Sequence, residues 1–194
     1  MKIVVLDGYA ANPGDLSWEE LKQLGDLPLY DRTPQELVVE RSLEAEAVLV
    51  NKVTLTRELI MQLPKLKYIG ELATGYNNID LTAARARGIT VCNIPAYSTQ
   101  RVAHTAVMLL LNLASSMRRQ LDMLSRGDRS NFTGHLQCPH AEVNGKTLGV
   151  IGAGHIGKEV IRVARALDME VLAYSRTPKD DGVCYVGLDE RYLD

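Results

Sequence analysis

Short apolar runs alternate with stretches of helical composition from the first residue of this chain, and that alternation narrows its possible folds more than any other feature. Residues 2–7, 27–30, 47–50, 68–73 and 89–94 read as strands. Between them, Ser17 is placed to cap a helix with Glu19 and Glu20 in its first turn. Thr33 is expected as an N-cap with Pro34 at the first helical position. Residues 56–63 form the next helix, and 80–87 form another that Gly88 closes. Strands that are apolar on both faces, joined by helices of about ten residues, imply a parallel sheet covered on both sides.

A second strand–helix unit begins near residue 147, with glycines at a telling spacing. The strand at 147–151 runs into Gly152-Ala153-Gly154-His155-Ile156-Gly157, and a helix is expected over 158–167. In such a turn Gly152 permits the sharp reversal, Gly154 lets the backbone approach a pyrophosphate, and Gly157 allows close helix–strand packing. The helix N-terminus then favours the phosphates. The alternative is a glycine-rich turn of purely structural use. The next strand, 170–174, ends at Ser175 and Arg176, where a ribose-binding acid is usual. An acid would repel a 2′-phosphate, whereas a hydroxyl and a guanidinium would bind one, which suggests tolerance of NADP. Alternatively Arg176 is merely solvated, and NAD is held by Ser175 and backbone groups. A third strand is expected at 183–186.

Between these regions, residues 98–126 contain neither Pro nor Gly and read as one long helix capped by Ser98. Val102, Ala106, Leu109, Leu110, Leu113 and Met117 make its apolar stripe, and Val107, Met108, Leu111 and Ala114 widen it. A helix so apolar all round is expected to be buried by more than one neighbour, including a second subunit. Residues 127–144 lack periodicity and read as a loop. The boundaries are therefore 1–97 for a first domain and 98–194 for the long helix with the start of a second. The net charge of −2, with basic and acidic residues interspersed, argues against nucleic acid and anionic membranes as partners. Cys92, Cys138 and Cys184 form no metal-binding pattern and fit reduced thiols, so a cytoplasmic location without a metal is expected.

Several stretches together resemble the D-isomer-specific 2-hydroxyacid dehydrogenases, nearest the glycerate dehydrogenase and hydroxypyruvate reductase branch. They are residues 1–8 with Asn12-Pro13-Gly14-Asp15, then 72–80, 91–98, and 145–152 leading into the glycine turn. The resemblance implies a flavodoxin-like substrate domain followed by an incomplete NAD(P)-binding Rossmann domain, and a homodimer through the helix at 98–126. It places Thr74 and Gly75 at the substrate carboxylate, with Thr74 also near the cofactor. His155 and Ile156 match the pyrophosphate-binding pair and Ser175 the ribose-binding position. Lys52, at the end of the third strand, is a candidate substrate contact or a solvated lysine. Thr74, Gly75, Gly154, His155 and Ile156 are expected to line a cleft between the first domain and the glycine turn, which Lys52 would face.

The family's Arg, Glu and His, which orient and protonate the substrate, belong to a later part of the Rossmann domain. They are expected downstream of Asp194, since the remaining βαβ units would need roughly a hundred more residues. His104, His135, His140 and His155 offer no substitute pairing with an acid. Residues 188–194 look like a helix just starting. Three readings stay open: a 2-oxo acid reductase of which this chain is the N-terminal portion, a non-catalytic dinucleotide-binding module, or an inactive truncated product.

Overall fold

The computed structural model describes residues 1–187 and divides into two units, Met1–Tyr97 and Ser98–Asp194. The helix start expected at 188–194 lies outside the described residues.

In the first unit, alternate side chains of apolar strands must find cover on both faces of the sheet. Strands β1 (Ile3–Val5), β2 (Ala47–Val50), β3 (Tyr68–Glu71) and β4 (Thr90–Cys92) are parallel and lie in the order β1-β2-β3-β4. Val4, Leu6, Val48, Val50 and Ile69 pack into a cluster of sixteen buried residues on one face. Ile3, Val5, Ala47 and Leu49 bury on the other, against Trp18 and Leu21. That period of two is what a doubly covered strand requires. The helices are α1 (Gly8–Ala11), α2 (Glu19–Lys22), α3 (Val38–Ser42), α4 (Arg57–Met61) and α5 (Leu81–Ala86). Thr56 caps α4 by accepting from the Leu59 N–H, and Asp80 caps α5 by accepting from the Ala83 N–H.

The expected strand at 27–30 is present only as parallel bridges to β1, through Asp26 and Leu29. Pro28 accepts from the Val5 N–H through its carbonyl but has no N–H of its own, so a continuous ladder cannot form. With that segment included, the order is 2-1-3-4-5, the flavodoxin-like arrangement. Two expected caps need correction. Pro34 has extended backbone and precedes a 3₁₀ turn at Gln35–Leu37 instead of opening a helix. The Thr33 hydroxyl accepts from the Arg41 guanidinium at 2.8 Å instead of capping. Ser17 does accept the Glu19 N–H, although Trp18 is the residue flanking α2.

The second unit contains α6 (Thr99–Ala114), α7 (Met117–Ser125), α8 (Ser130–Thr133), β5 (Thr147–Ile151), α9 (His155–Ala166), β6 (Glu170–Tyr174) and β7 (Cys184–Tyr185). The single helix expected over 98–126 is broken. Ser116 takes a left-handed conformation at φ 52° and its hydroxyl donates to the Pro139 carbonyl. The Ser115 hydroxyl donates back to Leu111, and Gln120 donates to the Ser115 carbonyl. Adjacent serines thereby offer the backbone partners other than its own helix, a known route to a kink. Ser98 occupies the N-terminal flank of α6 without a side-chain cap bond. The buried stripe of α6 also differs from expectation: Ala103 and Val107 are buried, while Val102, Met108, Leu109 and Leu113 are exposed. One turn of helix, α8, interrupts the loop expected at 127–144, where the Asp128 carboxylate accepts from the Ser130 N–H.

Strands β5, β6 and β7 are parallel and adjacent in that order, the 3-2-1 half of a doubly wound Rossmann sheet. Ile161, Ala164, Met169, Val171 and Ala173 form its buried core with Ala153. No described helix is long and apolar enough to cross a membrane.

Candidate functional site

In the first unit the carboxyl ends of four parallel strands are tied together by polar side chains. Asp7, buried just beyond β1, accepts the N–H groups of Asn51, Lys52 and Val53 beyond β2. The Asn51 amide donates to the Leu72 carbonyl beyond β3. Asn78 donates to the Val53 carbonyl at 3.1 Å and to the Glu71 carboxyl at 2.8 Å. The Thr74 hydroxyl donates to the Ile94 carbonyl at 3.0 Å, and Asn93 donates to the Thr74 carbonyl at 2.8 Å, which joins the β3 and β4 ends. Thr74 and Gly75 are exposed above this network, and a Cβ at Gly75 would meet only Asn77. Ligands of parallel sheets bind outside such carboxyl ends.

Glu71 is 1 % exposed, with one carboxyl oxygen unpartnered among the described residues. Burial pushes its carboxyl above the ordinary carboxylate range, opposed first by the Asn78 hydrogen bond. The nearby Asp7 adds to the rise and Lys52 subtracts from it. Sequence reading missed Asn51, Glu71 and Asn78. An acid closing an otherwise apolar strand was the available signal for Glu71. Asp7 ends the apolar run at 2–7, and nothing else in the sequence marks it.

In the second unit the glycine turn has the geometry its spacing suggested. The Gly152 N–H donates to the Tyr174 carbonyl at 2.8 Å, and its φ of +99° is one that a side chain would disfavour. A Cβ at Gly157 would collide with the Gly152 carbonyl oxygen. Space is open around Gly152 and Gly154, so the backbone can be approached closely there. Helix α9 begins at His155, three residues earlier than expected, which leaves His155 and Ile156 as exposed first-turn residues. Ser175 follows β6, and Arg176 beside it is exposed and forms no ion pair among the described residues. The open turn, the helix N-terminus and Ser175 therefore fit a dinucleotide.

Over residues 3–181 the chain matches the model for the D-isomer specific 2-hydroxyacid dehydrogenase catalytic domain. The chain belongs to that family. A hydroxypyruvate reductase from Blautia hydrogenotrophica is 40 % identical, with 98 % of this chain covering 62 % of that protein. D-lactate dehydrogenase from Aquifex aeolicus, solved with NAD and lactic acid, is 30 % identical at a TM-score of 0.81, covering 98 % of this chain and 57 % of that one. An acyclic imino acid reductase in complex with NADPH and D-Arg is 28 % identical, also at 0.81, with 96 % and 60 % covered. The chain thus spans about three-fifths of the length of these proteins.

His104, His135, His140 and His155 are all exposed, and none is ion-paired to a carboxylate among the described residues. Glu159, whose carboxyl is held low chiefly by Arg162 and least by His104, is already bonded to Arg162 at 2.7 Å. No metal-ligating cluster is found among the described residues.

Proposed function

We propose that the protein serves NAD(P)-dependent interconversion of a small 2-oxo acid, of the hydroxypyruvate or glyoxylate type, and its D-2-hydroxy acid. The glycine turn between β5 and α9, open at Gly152 and Gly154, is the observation that carries this reading. In the proposal Gly152, Gly154, His155, Ile156 and Gly157 receive the pyrophosphate and Ser175 a ribose hydroxyl. Arg176 makes the site tolerant of a 2′-phosphate. Thr74 and Gly75 hold the substrate carboxylate through backbone N–H groups, with Lys52 as a further cationic contact. When bound, the nicotinamide supplies or accepts the hydride. This chain's residues orient the two partners, which is a large share of such catalysis. The identity and coverage of the hydroxypyruvate reductase support the substrate class.

The experiment is a fluorescence titration of residues 1–194 with NADH and NADPH, followed by an oxidation assay with hydroxypyruvate. Saturable binding of dinucleotide is expected, and its absence would overturn the reading. Turnover is expected below the ordinary enzymatic rate of about 1 per second, because no described histidine is paired with an acid. Replacing Ser175 with Asp should shift the preference toward NADH by about tenfold or more; an unchanged ratio would remove Ser175 from the ribose site.

We also propose a homodimer through α6, supported by Leu109 and Leu113, which are 55 % and 81 % exposed in the single chain. Sedimentation at micromolar concentration should give a dimer, and Leu113→Glu should return it to monomer.

A further inference from the structure

We infer that the first unit holds a small organic anion, a carboxylate or phosphate ester, in a crevice at the switch point of its sheet, gripped by Arg32 together with Lys52, the residue that the proposed function also uses. A cavity of about 430 Å³ opens there, lined by Asp7, Tyr9, Arg32, Thr33, Lys52 and Val53 among others. That volume lies within the range of small-molecule sites. It sits where β1 has the 26–30 segment on one side and β2 on the other, so consecutive connections leave in opposite directions. Such a reversal leaves a crevice outside the strand ends.

The charges in this crevice are unbalanced in favour of an anion. Asp7, the carboxylate of the lining, has both oxygens engaged by three consecutive backbone N–H groups, so its charge is already met. Neither Arg32 nor Lys52 forms an ion pair among the described residues. The neighbouring Glu71, kept toward its neutral form by burial, is a weak competitor for Lys52. The Arg32 guanidinium lies 5.9 Å from the centre of the Tyr9 ring, a contact that orients its fork of donors. The Thr33 hydroxyl accepts from Arg41, leaving its own proton to donate. Val53 and the Tyr9 ring supply apolar wall, which favours an organic anion over a bare ion.

The site does not depend on the proposed oxidoreduction, and Lys52 is common to both, so Arg32 carries the test. Its side chain makes no hydrogen bond among the described residues, and Arg32→Gln should fold as the parent does. Calorimetric titration of residues 1–194 without dinucleotide would use succinate, glycerol 3-phosphate, inorganic phosphate and the neutral succinamide. Saturable binding of succinate or glycerol 3-phosphate below about 1 mM is expected, weakened at least tenfold in Arg32→Gln with NADPH affinity unchanged. The tighter of the two organic anions identifies the headgroup. Equal binding by parent and variant, equal binding of succinamide, inorganic phosphate as tight as either organic probe, or no saturation by either organic anion would each overturn the inference.

Discussion

Strand β2 is apolar throughout and buries all four of its residues, while β5, which includes Thr147 and Gly149, leaves those two and the apolar Ile151 exposed, Ile151 at 71 %. The sixteen-residue cluster beside β2 compares with six buried residues beside β5 among those described. Apolar composition commits a segment to a strand, and its neighbours decide how deeply it is buried. The glycine turn after β5 is nonetheless fully formed, because its geometry depends on local backbone conformation and on one bond to Tyr174. A binding motif and a deep core are separable in this molecule.

The largest effect that would sharpen this contrast is on stability. Ile69→Ala, at a site with no exposure, should cost about 2–5 kcal/mol in the first unit. Ile161→Ala should fall at the low end of that range, because its smaller core can relax more easily toward solvent. Denaturation monitored separately in each unit would measure both, and equal losses would break the contrast.

A smaller effect isolates the turn from the core. Gly157→Ala should weaken dinucleotide binding at least tenfold, about 1.4 kcal/mol, by driving a Cβ into the Gly152 carbonyl. The unfolding of the first unit should be unaffected. Unchanged NADH affinity would show that the turn can shift without consequence.

The smallest effect concerns pH. The folded-state value of Glu71 lies above the ordinary 4.5, so the folded chain holds more protons than the unfolded one between the two values. Stability from this group is therefore greatest below 4.5 and declines as pH rises through the raised value. Glu71→Gln should flatten that decline in denaturant titrations between pH 4 and 8. An identical slope in the variant would exclude Glu71 as its source.

These sites were unequally legible in the sequence. The glycine turn could be read because glycine spacing reports backbone conformation directly. Strands β2 and β6 could be read because continuous apolar runs leave few alternatives. The break at Ser115 and Ser116 could not, since no glycine or proline marks it and its cause is a bond to Pro139, more than twenty residues away. The Asp7, Asn51 and Asn78 network was hidden for a similar reason, because hydropathy patterns do not show which polar side chains will meet across strand ends. Thr33 looked like a cap until Arg41, eight residues on, claimed its hydroxyl.

The Asp7 clamp also constrains the order in which the chain can fold. Its bonds span 44 to 46 residues of sequence, so they cannot form before β1 and β2 have found each other. Closing so long a loop is entropically unfavourable until strand pairing compensates. The three amides of Asn51, Lys52 and Val53 should therefore acquire protection from hydrogen exchange together, and later than the local amides of α5. A carboxylate that ties β1 to β2 in the finished molecule is, during folding, a latch that shuts only after the sheet has assembled.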